Sequence, residues 1–534
     1  MIGVVAGPDD WAIVREFFQL FKIAWEPAAS GQYYRAVITN IELPADVKAD
    51  VVVAFGSARQ EIDRANEVIL VARPSGRQTE VAGVRTWLHR HSCTFECPTG
   101  GLDLSSGGVE YSTGLAGCVW HRVGYDLFAE VRHLLTEGQG TEQATWPSLD
   151  LHIEALKQIL RNNQVTFVEV EPRPSGFPFI CCLTHDIDFA GMRRHGVDRT
   201  MAGFLSRASL GTLRDLVNGR RTWSEALKNL GGVLSWPLVL LGLKSDPWRP
   251  FDDYSLADAS RSSTFFVVPT RNHAGVSPRG DVEPTRAVRY QADDVRDELA
   301  AAAAEGREIA LHGLDAWRDT TDAVRECARV GAASGRPVSG VRMHWLYFDQ
   351  GSARRLDEAG FDYDSTSGYN EAVGYRAGTS QAFMPPGCTH LLEIPLHIMD
   401  TALFFPDRLG LSTAEGIARC EPIIMHARNA GGAIIVNWHD RSLVVERQWG
   451  RAYDALLAQL DAHAPWYATV RDAVEWFRWR RAIAFSRTSD GKVAVQALAA
   501  RPGLPGALFK VDRGSAGHTE SHVLAPASAL VVQL

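Results

Sequence analysis

The sequence predicts an α/β protein in three parts: an N-terminal α/β region over 1–140, a barrel-like region over 141–487 and a small β appendage over 488–534. Two observations predict it. From about residue 175 to 487, short apolar runs alternate with helix-period stretches, the pattern of a mainly parallel sheet or barrel. The first of these runs, 177–183, stops abruptly at Thr184-His185-Asp186-Ile187-Asp188. Alternate side chains of a strand share a face, so Asp186 and Asp188 can enter one pocket. Two close carboxylates repel unless a metal, a proton or a cation separates them.

Composition narrows the class. At 534 residues the chain exceeds one ordinary core, and about 150 residues per domain suggests three or so. A hydrophobic fraction of 46% with 22% charged residues is that of a soluble globular protein. The net charge of −8 argues against a general nucleic-acid binder. Eight cysteines are scattered, and the neighbours Cys181-Cys182 face opposite ways on a buried strand, as small core hydrophobes do. The first ten residues lack the basic start and apolar segment of a secretory signal, and no apolar run approaches the ~20 residues of a membrane span. The expected compartment is therefore the cytoplasm.

In order along the chain, residues 10–25 show helical spacing, and 51–55 and 68–72 read as buried strands. From 76 to about 118 the pattern is short, β-like and Gly-rich, above all over 99–108, without a Walker-type lysine loop or a strand–GxGxxG–helix unit. Residues 119–135 look helical, and 136–143 reads as a polar linker. After a helix over 149–162, strands are expected at 178–184, 263–269, 307–312, 339–345, 391–397, 432–438 and 466–470, with a helix over 293–304 capped by Gly306. Residues 193–250 interrupt the rhythm: Arg193, Arg194, Arg199, Arg207, Arg214, Arg220 and Arg221 precede an apolar run from Leu230 to Leu243, read as a helical insertion or an interfacial helix pair. Short strands over 492–498, 507–512 and 529–534 make the appendage.

The later strands each deliver polar groups at their C-terminal ends: His312 and Asp315, Arg342 and His344, His397 and Asp400, His439 and Asp440. One such His is usually structural, but four strand ends supplying His or Asp to one rim point to chemistry there.

In this order the motifs resemble the polysaccharide-deacetylase superfamily (carbohydrate esterase family 4, NodB homology), in the subgroup with a Thr-His-Asp-x-Asp start. Thr184 to Asp188 looks like the first motif, His312-Gly313 the metal-histidine motif, Arg342-Met343-His344-Trp345 the arginine motif and Asn437-Trp438-His439 the closing motif. The resemblance implies a distorted (β/α)7 barrel and metal-dependent removal of N- or O-acetyl groups from sugars. It implies Asp186 as general base, Asp188 and His312 as ligands of a divalent ion such as Zn2+, Arg342 orienting the base, and His439 as general acid with Asp400 as its partner. It also brings an oxyanion role for the backbone N–H near Trp345.

One position departs from the pattern. The usual second His, four residues after the first, is Ala316 here, and a catalytic zinc wants three protein ligands. Asp315 and His344 are the candidates, and His344 is favoured. His185 faces away from Asp186 and reads as structural, and Arg376 could touch an anionic substrate or serve a structural ion pair. The expected substrate is an acetylated sugar of a polysaccharide or its precursor, with peripheral membrane contact through 193–250 if that precursor is lipid-linked. The alternatives are an amidohydrolase on a non-sugar amide or cyclic imide, or an inactive carbohydrate-binding protein of the same fold.

Overall fold

The apolar runs become strands of one curled parallel sheet in the computed structural model, which describes residues 1–97, 108–115, 117–196, 198–217, 221–444, 446–447, 449–488, 492–514 and 519–532. The strands are β1 (Ile180–Ile187), β2 (Ser263–Val267), β3 (Glu308–Gly313), β4 (Gly340–Met343), β5 (Tyr363–Asp364), β6 (Leu392–Glu393), β7 (Ile398–Met399), β8 (Ala433–Asn437) and β9 (Trp466–Tyr467). Across the sheet they run β6-β5-β4-β3-β2-β1-β8-β7, with β9 beside the start of β1, and every pairing is parallel.

This sheet has to curl. Eight strands laid flat would hold the outer edges about 34 Å apart. Yet residues 394–397 join β6 to β7, a link that reaches about 17 Å at full stretch. The link extends the ladders on its two sides: Ile394 N–H donates to Asp364 O at 2.9 Å beside β6, and His397 N–H to Ile435 O at 3.1 Å beside β7. The strand expected at 391–397 is thus two short strands with Pro395 between them, since proline has no N–H for a ladder. Tyr363–Asp364, absent from the sequence reading, fills the place between β4 and β6. The last expected strand contributes only Trp466–Tyr467.

The core lies inside and around this curl. On β1, Ile180 to Leu183 are fully buried, and the cysteines are free thiols.

Residues near the N-terminus form a six-stranded sheet ordered Trp25–Pro27, Ile2–Val5, Tyr33–Thr39, Lys48–Phe55, Cys118–Val123 and Glu110–Leu115, parallel except for its last pair. The stretch read as helical from 119 is therefore a strand to Val123, and the helix is Leu127–Thr136. Ile69–Arg73, expected to be buried, is a half-exposed strand paired antiparallel with Ser92–Glu96 alone. The helix Ser148–Asn162 sends Leu149, Ile153, Leu156 and Ile159 into the core of this N-terminal sheet.

Arg480, fully buried on the helix Val470–Ala482, ties the parts together. It donates to the carbonyls of Gln19, Leu20, Val170 and Glu171. In the tail, Ala507–Asp512 pairs with Phe167–Pro174, and Val493–Gln496 with Ala529–Val532. Segment 193–250 is helical over Arg199–Ser206, Thr212–Val217 and Trp223–Leu240. Among the described residues no helix is long and apolar enough to cross a membrane. The Gly-rich stretch to residue 107, Arg220 and the last two residues of the expected terminal strand lie outside the described residues.

Candidate active site

The C-terminal ends of β1, β3, β4 and β8 open on a cavity of about 850 Å3 whose wall includes Asp186, Asp188, His312, His344 and His439. Strand geometry explains the gathering: parallel strands place their last residues on one rim.

Asp188, His312 and His344 form one cluster there, with one ligand atom from each lying within 4.8 Å of the others. His312 Nε2 is 3.4 Å and His344 Nε2 3.5 Å from Asp188 Oδ1. A tetrahedral ion with bonds of about 2.0–2.1 Å spaces its ligand atoms by about 3.4 Å. Two further features fit an ion. Asp188 Oδ1 is buried and has no hydrogen-bond partner among the described residues. His312 Nδ1 lies 3.1 Å from the Arg342 carbonyl, which only accepts, so that nitrogen carries the proton and Nε2 keeps its lone pair. Burial holds the His344 ring well below the usual imidazole range, keeping it a neutral ligand. The donor set is that of a divalent-ion site.

Asp315 is not in the cluster. It accepts from Val276 N–H at 2.9 Å and contacts His273 Nε2 at 2.6 Å. Arg286, which the sequence reading passed over, steadies His344 instead. Fully buried, it donates to the carbonyls of His344, Ala274 and Leu314 at 2.8, 2.6 and 3.0 Å. Beside it Trp345 and Leu346 both have positive φ, of 65° and 55°, a strained backbone where bulky residues are rare.

Asp186 is held differently. Arg342 Nη1 donates to its Oδ1 at 3.0 Å and Asn437 Nδ2 to its Oδ2 at 2.7 Å. Arg342 is itself fixed by Thr184 Oγ1, Ser365 O and Ser365 Oγ, with its guanidinium 4.2 Å above the Phe266 ring. Burial pushes the Asp186 carboxyl up, and the Arg342 guanidinium, with the His439 imidazolium beyond it, outweighs it, so the group sits below the ordinary carboxylate range. Asn437 was missed as a site residue; it stands opposite Thr184 in the β1–β8 register, a pairing that only the folded sheet brings together.

On the far side of β1, His439 Nδ1 meets Asp400 Oδ1 at 2.6 Å, and the same carboxylate accepts the His439 N–H at 2.8 Å and the Ser442 hydroxyl. Burial lowers the His439 ring, but Asp400 more than compensates and lifts it to about 9. Nε2 is left for the cavity.

Besides Arg342, Asp400, Asp315 and Asp440, which lie behind the cavity wall, three more residues from the sequence reading stand outside it. His185 bonds the Trp438 carbonyl and Asp258, each at 3.0 Å, beneath the site. His397 takes Ile435 N–H and faces the Thr379 carbonyl, both at 3.3 Å. Arg376 donates to Gly368 O at 3.1 Å and lies over Phe348.

No family model matches this chain, and no curated protein does. Among solved structures it is similar to a Mycobacterium smegmatis protein assigned as a polysaccharide deacetylase, at 20% identity over 58% of this chain and 95% of that one, with a TM-score of 0.35. An allantoinase follows at 15% identity, 57% and 92% coverage and a TM-score of 0.35. A family 4 carbohydrate esterase of Bacillus subtilis stands at 10% identity, 56% and 83% coverage and a TM-score of 0.28. Overlaps this weak say nothing of activity, which has to be read from the side chains themselves.

Proposed function

We propose that this chain is a metal-dependent hydrolase that removes an N- or O-acetyl group from a sugar of a polysaccharide or its precursor. One observation carries the reading: an ionised carboxylate and an Asp-backed imidazole flank a three-ligand metal cluster in one cavity. A divalent ion on Asp188, His312 and His344, most simply Zn2+, would supply a water of lowered pKa and polarise an acyl carbonyl. Asp186, kept ionised by Arg342 and oriented by Asn437, is the base that accepts the water proton. His439, held as an imidazolium by Asp400, donates to the departing amine or alcohol. The His312 ring is fixed through Arg342 O, whereas Arg286 holds His344 by its main-chain carbonyl.

Acetate release from acetylated amino sugars by metal-loaded protein tests the reading. Asp186→Asn and His439→Ala are expected to lower kcat by about 10²–10⁴-fold while retaining the ion. Turnover of small amides or cyclic imides but of no acetylated sugar would move the substrate class. No turnover at all with a filled metal site would leave a binding protein.

A further inference from the structure

Segment 193–250 contains a helix turned inside out. Along Trp223–Leu240 and its cap, Trp223, Leu227, Leu230, Leu234, Leu238 and Leu241 recur every three or four residues, which is one stripe of a helix. All six are exposed, Trp223 by 74% and Leu234 by 78%. The side packed inward carries Ala226, Asn229, Ser235 and Val239. A helix that meets only water places its apolar stripe toward the core. This one displays it, and Val217 on the preceding helix, 86% exposed, extends the apolar surface of the segment.

The same segment is basic, with ten Lys and Arg against four Asp and Glu in a chain of net charge −8. It also reaches the active-site cavity. Arg199 and Arg207 join Arg441 and Arg447 in the wall, and Val444, between those two, packs with Met201, Phe204 and Trp248 of the segment. Among the described residues no carboxylate lies within ion-pair distance of these four arginines. Arg441 is 5% exposed and its Nε has no hydrogen-bond partner, although its guanidinium lies 4.0 Å from the Phe189 ring centre. Buried Glu446 offsets part of this charge. A buried guanidinium whose Nε lacks a hydrogen-bond partner, held between the Phe189 and Trp248 rings among like charges, is a seat for a multivalent anion, and phosphate offers several acceptor oxygens to planar donors.

We propose that segment 193–250 seats the protein on an anionic bilayer surface, and that the arginines of the cavity wall receive the phosphate of a sugar carried on a lipid. The apolar stripe enters the headgroup boundary, and the basic residues meet the anionic lipids. A second copy of the chain is the poorer occupant of the stripe, because two segments of this charge repel each other. The fate of the sugar rests on the deacetylase reading, whereas the two binding steps do not.

The test uses the full chain with vesicles of phosphatidylcholine alone or mixed with phosphatidylglycerol. Co-sedimentation with the mixed vesicles at low salt is expected, weakened at least about tenfold in Leu227→Glu/Leu234→Glu, whose circular dichroism and metal content stay unchanged. Failure of the wild type to pellet, equal pelleting of the variant, or a dimer in solution that the variant dissolves would overturn the docking. Phenyl phosphate binding to chelator-treated protein reads the phosphate half without turnover. Arg447→Gln should weaken it at least about tenfold, and an unchanged affinity overturns it. Among substrates, a lipid-linked acetylhexosamine phosphate in vesicles should show a KM at least about tenfold below its water-soluble counterpart. Equal values would assign the site to a soluble sugar phosphate and overturn the lipid source. Absence of acetate from every sugar would sink the deacetylase reading while leaving the vesicle and phosphate results standing.

Discussion

Two aspartates two residues apart acquire different chemistry from what surrounds them. Asp186 sits between a guanidinium and an amide, so both its oxygens are spoken for by donors. Asp188 faces two imidazoles and keeps a buried oxygen without a donor. The sequence could divide the pair because alternation puts both on one face and the later His residues arrive at strand ends in order. It could favour His344 over Asp315 only by position. The physical separation is that Asp315 is consumed by Val276 and His273. His344→Ala is therefore expected to lose the ion and Asp315→Ala to keep it, as metal analysis after dialysis would read; retention by the first variant would remove His344 from the ligand set. Arg286 and Asn437 were illegible because their worth lies in partners 58 and 251 residues away.

At the scale of elements, β1 divides the site. Ligands and base come from β1, β3 and β4 on one flank, while His439 and Asp400 come from β8 and the end of β7 on the other. The long apolar runs were legible as strands, since burial on both faces leaves little else for them. Two-residue strands were not, because so short a stretch has no period. Close approach between β4 and β5 is a matter of one glycine. A Cβ on Gly340 would lie 1.8 Å from the Tyr363 ring, and that tyrosine is pinned through its hydroxyl to Glu308. Gly340→Ala is thus expected to cost at least about 1–3 kcal/mol of stability and to loosen Arg342, two residues on. Urea denaturation with an unchanged midpoint would contradict this.

Across the whole molecule, the sheet and the tail share one apolar core, and buried polar groups tie the N-terminal unit to it. Arg480 is the clearest case, and nothing in the local sequence marks it as more than a helix-end arginine. Other buried groups set the response to acid. Burial holds His397 at about 4, its nitrogens engaged by backbone, and burial followed by the charge of His89 brings His152 down to about 3. Both rings are neutral when folded and gain protons on unfolding below an ordinary imidazole pKa of about 6.5. At these two positions the unfolded chain then binds more protons, so their share of the stability is full above about pH 6.5 and falls on acidification toward 4, by about 1.4 kcal/mol per pH unit for each ring. Buried Glu130 and Glu326, whose carboxyls burial raises to about 7, act in the opposite sense, so the test is a difference: between pH 7 and 4.5 the urea midpoint of His152→Gln should shift relative to wild type by roughly one ring's share, and an identical pH dependence would show that ring to be protonated in the native state.

The seam between β6 and β7 has a consequence for assembly. Everything that would grip the ion lies at the ends of β1, β3 and β4, close together in the sheet, whereas Asp400 follows β7, past the four-residue link 394–397 between the sheet's two outer strands. A chain with β1 to β4 in place but the link undocked would already hold its metal while its proton donor lacked a counter-ion. Such a half-built molecule would carry the ion without the acid half of its chemistry, so hydrolytic competence would arrive with the last latch of the barrel.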